Sequence, residues 1–236
     1  MAEPGAVARH PHLAEPVAPG RVRVDLHLHT MWSGDSQTTP DELSDAVRAT
    51  GIDVLCVTDH GAVAGAQRLQ ASGELGCRVI VGQEVRTAAG EIIGLFLTER
   101  LSFGLKPEEA CEAIRAQGGI SYVPHPFDEL RHALTADVLG RLTAAGLIDA
   151  VEVFNAKSSE GANRRAARFA ADRGLAGGAG SDSHEPSAVG AAFVEIPDFG
   201  DAWSFLAALR SATVRGHRYD AARVWRPRIV PSTSTS

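Results

Sequence analysis

Short apolar segments rich in β-branched residues recur along this 236-residue chain, separated by stretches of helical periodicity. That alternation constrains the fold more than any other feature. Parallel strands joined by crossover helices bury both faces of a sheet, and such strands read as near-continuous apolar runs like VIVG and IIGLFL. The strands fall at residues 22–27, 54–58, 79–82, 92–97, 120–123, 150–153 and 176–180. The segment PDELSDAVRATG places Pro40 in a first helical turn and stops at Gly51, and KPEEACEAIRAQGG repeats the device from Pro107 to Gly118. Further helices are expected over 163–173, with Gly174 as the cap, and over 201–210. Seven such strands, with no internal repeat and no dividing linker, point to a single α/β domain and a barrel short of the usual eight strands. The domain is expected over residues 21–226. Residues 1–20, rich in Ala, Pro and Gly and without the apolar core of a signal peptide, read as a mobile extension. Residues 227–236, ending PSTSTS, read as a disordered tail.

Polar residues then fall where such a barrel puts its chemistry, at the C-terminal ends of strands. His27 and His29 close the first strand, and Asp35 follows in the next loop. Asp59 and His60 end the second, Glu84 follows the third, His125 the fifth, Asn155 the sixth, and Asp182 with His184 the seventh. Residues two apart in a strand share a face, so each HxH or DxH pair can grip one centre from one side. Any one of these residues alone reads as a surface group, a cap or a turn. Five of the nine histidines at one rim, with carboxylates among them, read as a metal site. His10, His12, His132 and His217 lack this placement and read as surface or tail residues. Asp25 either steadies an imidazole or fills the barrel interior, and Asp59 is expected to make structural hydrogen bonds.

Composition narrows the function. The formal charge of -6 argues against an extended nucleic-acid track but allows a small phosphorylated substrate in a local pocket. Cys56, Cys77 and Cys111 form no CxxC, and Cys56 sits in the apolar run DVLCV, so a reduced, cytoplasmic protein is expected. No apolar run reaches the length of about 18 residues that a membrane span needs. Neither GxSxG nor a P-loop is present.

These motifs, in this order and at strand ends, resemble the PHP (polymerase and histidinol phosphatase) superfamily over roughly residues 22–197. The matching pieces are DLHLHT with Asp35, TDH at 58–60, the glutamate of GQE, HPF at 125–127 and GSDSH. The segments EIIGLFL, QGG and PHPF resemble the compact stand-alone members rather than the domain fused to DNA polymerases. The resemblance implies a distorted, TIM-like (β/α)7 barrel and two to three divalent metal ions, zinc, manganese or iron. It would place His27, His29, Glu84 and Asp182 around one metal. Glu84, bridging, and His125 would hold a second, and Asp35, His60 and His184 a third. Many relatives complete the second position with a histidine where this chain has Asn155. An amide oxygen is a poorer ligand than imidazole, so Asn155 either ligates weakly or orients a water or the substrate.

The chemistry expected is hydrolysis of a small-metabolite or nucleotide phosphomonoester by a metal-bound hydroxide. The alternatives are a phosphodiesterase or 5′-3′ exonuclease on short nucleic acids, and a non-catalytic metal-binding domain. Candidate phosphate-binding cations are Arg86, Arg131 and Lys157, with Arg164 and Arg165 behind them. The sequence leaves oligomeric state open.

Overall fold

The computed structural model describes residues 1–222. The expected tail at 227–236, and the end of the domain at 226, lie outside the described residues. The strands and helices follow in chain order as α1 (Pro4–Arg9), β1 (Arg21–Leu28), α2 (Pro40–Thr50), β2 (Val54–Val57), α3 (Ala64–Ser72), β3 (Arg78–Thr87) and β4 (Gly90–Leu95). Then come α4 (Pro107–Ala116), β5 (Ile120–Val123), α5 (Ala136–Ala144), β6 (Ala150–Asn155), α6 (Glu160–Arg173), β7 (Ala176–Gly180), β8 (Ala192–Pro197), α7 (Ala202–Leu209) and β9 (Thr213–Gly216). Helix α2 is bounded as its sequence dictates. Thr39 and Glu42 form a capping box, Pro40 opens the first turn, and Gly51 leaves the helix at φ 68°.

One nine-stranded sheet runs in the order β7-β6-β5-β4-β3-β2-β1-β8-β9. The end of β1 reaches β7 and nearly closes the sheet into a barrel. The Asp182 amide donates to His27 O at 2.7 Å and the His29 amide to Ser183 O at 2.8 Å. The first half of β1 pairs antiparallel with β8, which wedges the seam open at the other end. One apolar cluster lies between sheet and helices, with Leu43, Leu55, Leu69, Ile114 and Phe169 among its members. A second joins Val24, Leu26, Cys56, Ile80 and Tyr122 to Phe205 of α7.

Three expectations are corrected. The sheet is mixed: β4 runs antiparallel to both β3 and β5. Only Ala88 and Ala89 separate β3 from β4, far fewer than the dozen or more residues a parallel crossover requires, so the chain turns back as a hairpin. Two further strands, β8 and β9, follow the last site motif, and helices α3 and α5 fill connections left unassigned from the sequence. Finally, residues 1–20 pack rather than hang free. The Glu3 amide donates to Ala49 O at 2.7 Å, and Ala6, His10 and Leu13 are buried. Composition marked the segment as mobile, but its spaced side chains find the α2 surface and the loop after β7. No helix among the described residues is long and apolar enough to cross a membrane, and the three cysteines are free.

Candidate metal centre

Closure of β1 on β7 brings the two ends of the motif series together. His27 sits over Gly180, where an added Cβ would lie 2.4 Å from His27 Cβ and 2.6 Å from Glu152 Oε1. The glycine is therefore what lets Glu152 of β6 reach His27. Nδ1 of His27 donates to Glu152 Oε1 at 3.2 Å. The other Glu152 oxygen accepts from the His125 amide at 2.6 Å and from Asn155 Nδ2 at 2.9 Å. Both His125 (φ 27°) and Asp182 (φ 50°) adopt left-handed backbone conformations, which cost energy for a residue with a side chain. Their amide hydrogen bonds to Glu152 and to His27 O help hold them there.

With its Nδ1 proton committed to Glu152, His27 directs Nε2 toward His29 Nε2 at 3.1 Å and Glu84 Oε2 at 3.2 Å, and in the neutral form that nitrogen carries the lone pair a metal would take. His29 Nε2 is also 3.2 Å from that oxygen, and Asp182 Oδ1 lies 3.7 and 3.6 Å from the two imidazoles. Glu84 Oε1 faces the other way, 3.1 Å from His125 Nε2. Asp35 Oδ2 is 2.9 Å from His184 Nε2 and 3.6 Å from His60 Nε2. The structure thus gathers all eight expected ligand residues at one end of the barrel.

The electrostatics favour a cation. Burial disfavours charge on His27, yet Glu84, Glu152 and Asp182 outweigh it and hold its pKa well above the ordinary value. His29 is likewise pushed up to about 9, against burial, by Asp182 and Glu84. Burial also disfavours charge on Asp182, but His27, Lys157 and Arg131 keep it ionised far below the usual range. So many buried acceptor atoms facing one another need shared protons or metal ions between them. Four overlapping sets have donor atoms within 4.8 Å: His27–His29–Glu84, His27–His125–Asp182, His29–Asp35–His184 and Glu84–Glu91–His125. Imidazole with carboxylate suits zinc, manganese or iron.

Of the remaining candidates, Arg86, Arg131, Lys157 and Asn155 are at the site, whereas Arg164 pairs with Glu160 at 3.0 Å on exposed α6 and Arg165 stacks on Phe127. Arg131 Nη1 lies 2.5 Å from Asp182 Oδ2, and Lys157 Nζ lies 2.6 Å from His184 Nδ1. Arg86 pairs across the β3–β4 hairpin with Glu91 at 3.3 Å. Asn155 has its amide oxygen occupied by the Lys157 and Ser158 amides at 2.9 and 3.2 Å. Those two bonds close the turn that carries Lys157. Asp59 accepts from the amide and hydroxyl of Thr30, both at 2.6 Å. Asp25 accepts from the Ser181 and His27 amides, and burial lifts its pKa to about 7 against those bonds. The centre opens into a cavity of about 770 Å³ lined by Arg86, Arg131, Lys157, Arg218 and Asp220, among others. A second cavity of about 420 Å³, lined by Leu101 and Phe103, adjoins it across Asp35, His60 and Glu84.

Sequence reading missed two carboxylates. Glu152 stands in an otherwise apolar strand, AVEVFN, and that lone buried charge was the available clue. Glu91 reaches the site only because β4 is antiparallel, so its N-terminal end meets the C-terminal end of β3.

Comparison with known proteins came to the same region. The family model described as "PHP domain" matches residues 25–123, and one described as "PHP-associated" matches residues 160–214. An uncharacterized protein of Methanocaldococcus jannaschii is 38% identical over 151 residues, spanning 59% of this chain and 85% of the relative. A second from the same organism is 32% identical over 181 residues, 75% of this chain and 71% of the relative. Among solved structures, a two-domain protein of Bacteroides vulgatus containing a predicted PHP-like metal-dependent phosphoesterase superposes with a TM-score of 0.67. It is 19% identical and covers 86% of this chain and 67% of its own, a likeness that fixes the fold alone.

Proposed function

The chain belongs to the PHP-domain family, and from that premise we propose that it is a metal-dependent phosphoesterase acting on a small phosphomonoester. The observation that carries this reading is Glu84, whose two oxygens face different ligand groups, His27 with His29 on one side and His125 on the other. A carboxylate so divided suits two neighbouring cations. His27, His29, Glu84 and Asp182 would hold the first. Glu84, His125 and Glu91 would hold the second, Glu91 standing in for the histidine that Asn155 replaces. Asp35, His60 and His184 suit a third. When bound, such cations supply Lewis-acid polarisation of a phosphate ester and a nucleophile available at neutral pH.

The protein's own groups would do the rest. Arg131 and Lys157, anchored on Asp182, present a fork and a point charge to the phosphate oxygens. The Asn155 turn sets the position of Lys157. Glu152 keeps Nδ1 of His27 protonated and so aims its Nε2 inward. The net charge of -6 and the mouth carboxylate Asp220 favour a compact substrate over a nucleic-acid strand.

The test is to load the protein with Mn, Fe or Zn and offer an aryl phosphomonoester, an aryl phosphodiester and a 5′-phosphorylated oligonucleotide. Turnover of the monoester, lost in Asp182→Asn, is the expected result. Hydrolysis confined to the diester and oligonucleotide would overturn the monoester reading, and metal binding without any turnover would overturn the enzyme reading.

A further inference from the structure

Three of the four histidines outside the site motifs meet on the far side of β8. His10 caps the 3-10 turn after α1, His12 lies within that turn, and His217 directly follows β9. The ring of His217 lies 5.1 Å from that of His10 and 5.0 Å from that of His12.

Their tautomers follow from their partners. Nε2 of His10 is 2.9 Å from Ser187 O, and Nε2 of His12 is 2.8 Å from Gly190 O. A carbonyl only accepts, so both Nε2 atoms carry protons, and each neutral ring keeps a lone pair on Nδ1. Both lone pairs point at His217. His10 Nδ1 is 3.4 Å from His217 Nε2, and His12 Nδ1 is 3.3 Å from His217 Nδ1. A neutral His217 has a single ring proton, which the Arg9 carbonyl can also take, so at most one of them is satisfied. With that proton on Nε2, donated to His10, the Nδ1 atoms of His12 and His217 face each other as two lone pairs. No carboxylate among the described residues hydrogen-bonds to any of the three rings.

We propose that His12 and His217 bind a transition-metal ion through their Nδ1 atoms, at a site separate from the catalytic cluster. Two imidazole nitrogens at about 2.0–2.1 Å from a tetrahedral ion stand roughly 3.3–3.4 Å apart, which matches the spacing here. Each ligand also donates its other ring proton, His12 to Gly190 O and His217 to His10, the arrangement that fixes a metal-binding tautomer. His10 is a positioning residue in this scheme. Burial lowers its pKa to about 4, so its Nδ1 stays free to accept at neutral pH. His217 is part-exposed and lines a surface cleft of about 550 Å³, so its ring meets solvent on one side. Zinc, copper(II) and nickel(II) are the ions that such imidazole pairs take. The bound ion would staple residue 12 to residue 217, joining the N-terminal turn to the last strand.

The test compares the chelator-stripped full chain with His12→Ala and His217→Ala by zinc titration and by electron paramagnetic resonance after copper(II) loading. The wild type is expected to bind one more equivalent than either variant. Beyond the signal of the catalytic cluster, its copper spectrum should carry a separate two-nitrogen imidazole component that both variants lose, and the monoester turnover of the zinc-loaded variants should match wild type. Should His217→Ala fail to fold, His12→Gln gives the same comparison from the looser turn. Equal stoichiometry and unchanged copper spectra in wild type and variants would overturn the proposal, whether or not the catalytic cluster proves active.

Discussion

Glu152 accepts from Nδ1 of His27 at 3.2 Å with both side chains fully buried, and this one contact sets the direction of the lone pair at the heart of the cluster. A carboxylate that orients a ligating imidazole raises metal affinity without touching the metal. Glu152→Gln should therefore lower affinity for the first metal about 10–100-fold while the far-ultraviolet circular dichroism stays native. Unchanged affinity by calorimetric titration would show that the contact is not what aims His27.

Asn155 is predicted to matter for stability more than for metal content. Its side-chain oxygen takes the part-buried amide of Lys157 and the buried amide of Ser158. Asn155→Ala leaves the Lys157 amide without this acceptor and the Ser158 amide with only the residue 155 carbonyl, removes the Nδ2 donor to Glu152, and should cost about 1–3 kcal/mol in urea unfolding. Loss of a metal equivalent, with stability intact, would instead make Asn155 a ligand.

Gly180→Ala should damage the site although it adds only a methyl group. The new Cβ would press on His27 Cβ and Glu152 Oε1 together. Overpacking of this kind costs about 1–3 kcal/mol, and here it also separates the oriented pair. Reduced metal affinity together with a lower melting temperature is expected. Wild-type behaviour in both would mean that the barrel seam yields more readily than its spacing suggests.

His10 gives a pH dependence with a definite sign. Burial lowers its folded pKa to about 4 from the usual 6.5. Above pH 6.5 neither state holds the proton, and its contribution to stability is complete. Between about pH 6.5 and 4 the unfolded chain takes up a proton that the native protein refuses, so stability falls as the pH drops. That loss is on the order of 1–3 kcal/mol. Metal-free wild type should lose this much more than His10→Gln between pH 7.5 and 4.5 in urea unfolding. Parallel losses would remove His10 as the source.

What could be read from the sequence was whatever repeats locally. Strand ends carrying His27, His29, His60 and Glu84 declare themselves by short spacing, and α2 by its proline and glycine bounds. Glu91 was hidden because its place depends on a hairpin reversal, which turns on just two residues after Thr87. Glu152 was hidden because a buried charge gains meaning only from the histidine across the barrel. His217 lies 207 residues from His10 and 205 from His12, and no local pattern joins them.

Strand β7 reads AGGAG and contributes no functional side chain within its span. An added Cβ at Gly178 would lie 2.7 Å from the Tyr122 hydroxyl and 2.8 Å from Leu26, just as one at Gly180 would meet His27. The strand works as a gauge, setting by its own thinness how near its neighbours may come. A saturation map of this protein should therefore show its sharpest intolerance along a stretch with no chemistry of its own, and a search for active residues by loss of function would misread that stretch as part of the reaction.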